Sequence, residues 1–273
     1  MMSIKLFVTD IDGTLLPTGA EIPQANIQAV KDMVAAGVIV TLATGRMFRA
    51  TLPIALELGV DVPIITYNGA LIKTVAGEVI HEECLSPELA LELIEFCRKR
   101  NWHVQTYEDD RLRYAERNEL SDAYEKAIKI RGEAVGNEEL KRHVDRMYKL
   151  LLVTSGRDES DASIAELEKH FGDRIDAAKS QPQYVEIISK GVSKAAALRI
   201  LAARYNIPIE ETLAIGDSGN DLPMLRAAGV GVAMGNAFDE VKAACKFVTG
   251  NCVDGGFAQA AHKFVLEEVV HNE

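Results

Sequence analysis

The sequence of 273 residues is most informative first for what it lacks. It has four cysteines, Cys84, Cys97, Cys245 and Cys252, widely spread and with no C-x-x-C pair. That argues against a disulfide framework or a zinc knuckle and leaves them as core or surface thiols. The six histidines, His81, His103 and His143 among them, show neither H-E-x-x-H nor any paired metal spacing. Basic charge is in deficit: 30 Lys and Arg stand against 41 Asp and Glu, a formal net charge of −11. Nucleic acid and anionic membrane are therefore not expected as partners, since phosphate-rich surfaces need a basic face. A small phosphorylated ligand stays open, because it needs only a few local cations. No run reaches the ~18 uninterrupted apolar residues of a transmembrane helix. Met1-Met-Ser-Ile-Lys leads straight into a strand-like run with no secretory leader pattern, so a cytoplasmic protein is expected.

What is present is the balance of a globular chain, 48% hydrophobic and 26% charged, long enough for one large domain or two moderate ones. The first eighty residues alternate strand and helix. Residues 4–10 read as a strand, Pro23 to Ala36 as an amphipathic helix stopped by Gly37, and "VIVTLATG" (38–45) as a second buried strand. A helix follows over about 46–58, then "PIITYNGALI" (63–72) as a third strand. The C-terminal part repeats the rhythm: helix Ser193–Tyr205, strand "ETLAIGD" (211–217), short helix Asn220–Ala228, strand "VGVAM" (230–234), and a last helix over about 256–269. Near-continuous apolar strands separated by helices predict a parallel α/β sheet covered on both faces. Between them charge is denser. Pieces such as "HVQTYED" and "YKLLLVTS" mix with helices at 87–100 and 158–171, and "DDRLRYAERNELSDAYEKAIKIR" has no parallel-strand pattern. This predicts an inserted α+β domain over 84–189, with 1–83 and 190–273 completing the sheet domain.

Ligands of open α/β sheets bind beyond the carboxyl ends of the strands. Three predicted strands end there in polar residues: Asp10 and Asp12, then Thr44-Gly45, then Asp217. The loop "GDSGND" adds Ser218, Asn220 and Asp221, and Lys194 opens a helix just before that strand. Each alone reads as ordinary structure: a turn, a strand exit, a helix cap, a solvated lysine. Together they make a coherent site. Carboxylates of Asp10, Asp12 and Asp217 converging at one rim would repel, and a hard divalent cation such as Mg²⁺ relieves this. A hydroxyl, a lysine and exposed amides beside that cation suit a phosphoryl group. One carboxylate can then attack phosphorus to give an aspartyl-phosphate.

"DIDGTLL", "TGR", the lysine of "KGVSKAAAL" and "IGDSGNDLPML" resemble, in order, the four motifs of the haloacid dehalogenase (HAD) superfamily of phosphotransferases. The long insert after the second motif is similar to the Cof-like sugar-phosphatase branch with a type IIB cap. The likeness is strong in both flanks and holds only in outline within the cap. It implies a Rossmann-like core, a phosphatase acting on small phosphorylated metabolites, and Mg²⁺. Asp10 matches the nucleophile and a metal ligand. Asp12 matches the general acid/base, with its carbonyl on the metal. Ile11, its side chain in the core, would offer its amide to phosphate. Thr44 and the Gly45 amide match the second-motif phosphate ligands, Lys194 the third-motif cation, and Asp217 the last metal ligand. Asn220 would touch phosphate, Asp221 would support the metal, and "YNGA" (67–70) would meet the leaving group. Ile11 stands where leucine is commoner and Ala196 where glycine is frequent; neither removes a functional group.

Rival readings make different demands. "GVGVAMG" (229–235) has dinucleotide-like glycine spacing, but its glycines precede and end a strand, whereas the fingerprint needs them between strand and helix. A phospho-acceptor switch needs neither Asp12 nor a large insert. A phosphomutase of the same superfamily would hand the phosphoryl group to a second hydroxyl. An inactive binding protein on this scaffold would not need the complete set of catalytic groups. Specificity is expected in the insert, with "KSQPQYVEI" (179–187) as the edge facing the site. Arg46 fits either an anionic leaving group or a salt bridge.

Overall fold

The alternating flanks do form one sheet. The computed structural model describes residues 3–267. Its first strand, β1 (Leu6–Thr9), is buried on both faces and is followed by α1 (Gln24–Ala35), β2 (Ile39–Leu42) and α2 (Phe48–Leu58). The apolar run expected as a third parallel strand does something else. It breaks into β3 (Ile64–Thr66) and β4 (Leu71–Lys73), which pair antiparallel and are joined by β5 (Val79–Glu82) in a separate three-stranded sheet. The break is Tyr67-Asn68-Gly69, all at positive φ. Asn and Gly tolerate that region cheaply. At Gly69 a β-carbon would also stand 2.3 Å from the Ser193 carbonyl oxygen, so the crossing of the two chain segments admits only glycine.

The insert then builds α3 (Pro87–Lys99), β6 (His103–Glu108), β7 (Arg111–Tyr114), α4 (Glu119–Ile128), β8 (Glu133–Ala134) and α5 (Asn137–Leu140). β9 (Met147–Val153), α6 (Arg157–Phe171), β10 (Ile175–Gln181) and β11 (Tyr184–Ser189) complete it. The strands form a mixed sheet in the order β10-β11-β9-β6-β7-β8, antiparallel except for β7–β8. One face of this sheet packs on α3 and α6 through Leu93, Ile94, Leu167 and Phe171. The other turns Tyr107, Tyr148 and Leu151 toward the first sheet, where they join its apolar core together with Tyr124 of α4. Tyr67 bridges the two units, stacked on Tyr148 at 4.6 Å and edge-on to Tyr107 at 6.1 Å.

The chain returns through α7 (Lys194–Arg204), β12 (Thr212–Gly216), α8 (Leu222–Ala227) and β13 (Val230–Ala233). α9 (Asp239–Ala244), β14 (Phe247–Val248) and α10 (Gly256–Ala261) follow. The α9–β14 pair was not expected from the sequence, and it extends the sheet by one strand. The last helix continues past α10 as a π-turn over His262–Leu266; the expected end at Val269 lies outside the described residues. The core sheet is wholly parallel, in the order β14-β13-β12-β1-β2. The fold is therefore α/β, a Rossmann-like parallel sheet with an inserted α+β cap. Strand order reverses direction at β1, so the carboxyl ends of β1, β2 and β12 open one crevice. Among the described residues no helix is long and apolar enough to cross a membrane.

Candidate active site

β1 delivers Asp10 at its carboxyl end, and the chain turns at once. Ile11 goes into the core with no exposure. Gly13, at φ +82°, lies so close to Asp217 that a β-carbon there would be 2.6 Å from Oδ2, so glycine is required. Thr14 Oγ1 donates to Asp217 Oδ1 at 2.9 Å. The Ser193 hydroxyl accepts from the Ala196 amide and caps α7. Lys194 thus becomes the first helical residue, fully buried, and its Nζ donates to Asp10 Oδ1 and Asp221 Oδ1, both at 2.6 Å. Asp221 Oδ2 accepts from the Asp217 and Ser218 amides, each at 3.0 Å.

Asp10, Asp217 and Asp221 each bring one oxygen within 4.8 Å of the others, all three buried. Burial, then the Asp221 charge, pushes the Asp10 carboxyl up to about 7, with Lys194 pulling the other way. Asp217 is driven higher still, by burial and then by Asp10 and Asp221. Burial alone would lower the Lys194 ammonium, but its two carboxylates overcome this and raise it. Three carboxylates beside a single ammonium, two of them pushed toward the protonated form by burial and then by their neighbours' charge, make an all-oxygen set that fits a hard divalent cation.

The carboxylate of Asp12 does not join this group, contrary to the expected convergence of Asp10, Asp12 and Asp217. The turn after Asp10 carries it the other way, where Arg46 grips it through Nε at 2.6 Å and Nη2 at 2.7 Å. That bidentate fork is geometrically suited to one carboxylate. Of the two readings open for Arg46, the salt bridge is the contact present. Thr44 leaves β2 buried, its Oγ1 accepting from the Arg46 amide at 3.1 Å, which leaves the hydroxyl proton free to donate. Among the described residues the amides of Ile11, Asp12 and Gly45 have no protein acceptor. Ser218 Oγ donates to Asn220 Oδ1 at 2.6 Å, and Asn220 Nδ2 donates to Asn68 Oδ1 at 2.9 Å, tying the last loop to the YNGA segment.

The cap closes this rim. Asp10, Asp12, Thr44, Gly45, Arg46, Ser218 and Asn220 face Tyr124, Ser180, Gln181, Tyr184 and Glu186 across a cavity of about 60 Å³. The segment 179–187 does line it. Such a space holds a handful of waters and falls far short of a usual small-molecule pocket.

The haloacid dehalogenase-like hydrolase family matches residues 7–260. The chain belongs to that family. Its relatives include several phosphatases. It is 30% identical over 272 residues to a phosphatase of Bacillus subtilis, over 90% of this chain and 94% of that one. It is also 30% identical over 280 residues to a 5-amino-6-(5-phospho-D-ribitylamino)uracil phosphatase of the same organism, over 93% and 96%. A solved HAD subclass IIB sugar phosphatase superposes with a TM-score of 0.84 at 26% identity, covering 95% of this chain and 98% of its own. The protein is a HAD-type phosphatase, a phosphoric monoester hydrolase, of the Cof-like IIB branch.

Sequence reasoning missed several site neighbours. Lys149 and Glu186 form a fully enclosed ion pair at 2.5 Å on the cap side. Asp110, at the tip of the β6–β7 hairpin, accepts from the Tyr67 hydroxyl at 2.5 Å and from the Arg49 amide at 3.1 Å. α2 has no side-chain cap of its own, so Asp110 supplies one from the insert. A lone charge within the apolar runs "YKLLLV" and "YVEII" was the signal available for the first pair.

Proposed function

We propose that this phosphatase is Mg²⁺-dependent and hydrolyses small phosphorylated metabolites, sugar phosphates or similar, through an aspartyl-phosphate on Asp10. The observation that carries the reading is the division between two neighbouring carboxylates. Asp10 is bound to Lys194 within the acidic cluster, while Asp12 is held apart by Arg46. Asp10 attacks phosphorus. Lys194, the Thr44 hydroxyl, the Ile11 and Gly45 amides and Asn220 bind the phosphoryl oxygens as charge shifts between them. Asp12 protonates the leaving oxygen, then takes a proton from the water that attacks the acyl-phosphate, releasing inorganic phosphate and regenerating Asp10. Asp10, Asp217 and the Asp12 carbonyl would hold Mg²⁺, with Asp221 supporting them from behind. Bound there, the ion supplies positive charge that keeps the carboxylates ionised and neutralises phosphoryl oxygens.

Residues 84–189 form the cap in this reading, and 1–83 with 190–273 the core. The cap would lift to admit substrate, because the space of about 60 Å³ beneath it is too small, and would exclude bulk water on settling back. The relatives support the substrate class: one is named for a phosphorylated ribitylamino-uracil and another is called a sugar phosphatase. A phosphomutase would use the same first step and return the phosphoryl group to a second hydroxyl. A phospho-acceptor module would stop at a stable aspartyl-phosphate. The test is phosphate release from a panel of phosphorylated metabolites, with and without Mg²⁺, beside Asp10→Asn. Magnesium-dependent release that falls by about 10⁴-fold or more in the variant is expected. Wild-type rates in Asp10→Asn would remove the nucleophile, and isomerised product without phosphate would make the protein a mutase.

A further inference from the structure

Lys149 lies within a strand, is wholly buried, and is satisfied by groups from both units. β9 carries a bulge: Lys149 pairs with Tyr107 and Met147 with Glu108, leaving Tyr148 as the extra residue. The bulge brings Tyr148 and Lys149 both to the face toward the core, in line with Leu151 and Val153. The ammonium has three protons and three partners there. Nζ donates to Glu186 Oε2 at 2.5 Å and to the Gly45 carbonyl at 2.6 Å, and stands 4.5 Å from the centre of the Tyr107 ring. Glu186 and Tyr107 belong to the insert. Gly45 belongs to the core, so the set is complete only when the cap lies on the rim.

The Gly45 carbonyl is one end of a peptide unit whose other end is the Arg46 amide, and that amide donates to Thr44 Oγ1. With the carbonyl held by a cation, the N–H of the same unit becomes a stronger donor. With one of its two lone pairs occupied in this way, the Thr44 hydroxyl proton is kept from that direction and turned toward the remaining two, on the side away from the Arg46 amide. We infer that Lys149 is a positioning residue through which cap closure sets the Thr44 hydroxyl, by way of the Gly45–Arg46 peptide. The full grip on the phosphoryl group is then assembled only over a bound leaving group. This rests on Thr44 as a phosphate ligand.

The test is a double-mutant cycle read by steady-state kcat and KM on p-nitrophenyl phosphate in saturating Mg²⁺. Glu186→Gln is the reference, because it avoids stranding a buried carboxylate when the lysine is removed. Adding Lys149→Met should lower kcat about 10-fold or more with little change in KM, and less than about 2-fold when Thr44 is already valine. An equal loss in both backgrounds, or none in either, overturns the inference, since a merely structural role would not depend on Thr44. Thr44→Val alone leaving kcat and KM unchanged would remove Thr44 as a ligand, a separate failure that also ends this inference. Folding is checked by thermal melting. If Lys149→Met with Glu186→Gln does not fold, Lys149→Gln with Glu186→Gln refills the volume with a neutral pair and is judged by the same cycle.

Discussion

Two lysines of this phosphatase are fully buried beside carboxylates, one in the core and one in the cap, and their surroundings act on them in opposite directions. Lys194 sits between Asp10 and Asp221, and the two charges raise its pKa despite burial. Lys149 has one carboxylate, one carbonyl and one aromatic face, and burial lowers its pKa, with the Lys194 charge acting the same way against Glu186. The core lysine stands in a surplus of negative charge, which is what a site receiving a divalent cation and a phosphoryl group requires. The cap lysine is nearly balanced by its own partners and is held by geometry. In the proposed mechanism one would serve the chemistry directly, and the other the closure of the two units.

The largest expected effect separates them by activity. Lys194→Met should reduce turnover about 10³-fold, the loss of a donor at the transferring group. Both Lys194→Met and Lys149→Met strand buried carboxylates and should each cost about 3–5 kcal/mol in urea unfolding. If Lys149→Met were as inactive as Lys194→Met, the distinction between chemistry and closure would fall.

The surplus of negative charge should also show in the pH dependence of stability. Asp10 and Asp217 titrate above the ordinary carboxylate range when folded, so the folded state keeps protons that the unfolded chain releases near pH 4. The stability they contribute is complete below about pH 4 and drains away as pH rises through about 7 to 9. In chelator, Tm should therefore fall from pH 5 to pH 9. In Mg²⁺, which on the proposed reading would bind the ionised carboxylates, the fall should shrink and the gap between the two curves should widen with pH. Parallel curves would show that the acidic cluster is not where the ion binds.

The smallest effect belongs to the cap's other anchor. Asp110→Ala removes the side chain that caps α2 and meets Tyr67, and should cost about 1 kcal/mol. Turnover should change far less than in Lys149→Met, because Asp110 does not reach the Gly45–Arg46 peptide. A loss as large as that of Lys149→Met would mean that any loosening of the cap has the same consequence.

The flanks were legible because each functional group is carried by a short contiguous motif at the end of an apolar strand, and α/β sheets gather such ends on one side. Asp10, Thr44, Lys194 and Asp217 could be grouped without knowing a single distance. Asp12 could not be placed correctly, since a turn and the Arg46 fork, rather than strand alternation, direct its carboxylate. The run 63–72 looked like one strand, because apolar β-branched residues do not reveal that Tyr67-Asn68-Gly69 takes up positive φ against Ser193. In the cap, Lys149 and Glu186 were visible as charges out of place in apolar runs, but their pairing was not.

The class of fold, the acidic rim and the phosphoryl chemistry follow from local patterns of polarity and from motifs at strand ends. Which carboxylates share the rim, where the cap touches the core, and what satisfies the buried Lys149 follow from the folded arrangement alone. Those contacts join residues far apart in the chain through a bulge and a peptide carbonyl, and neither has a side chain for the sequence to display.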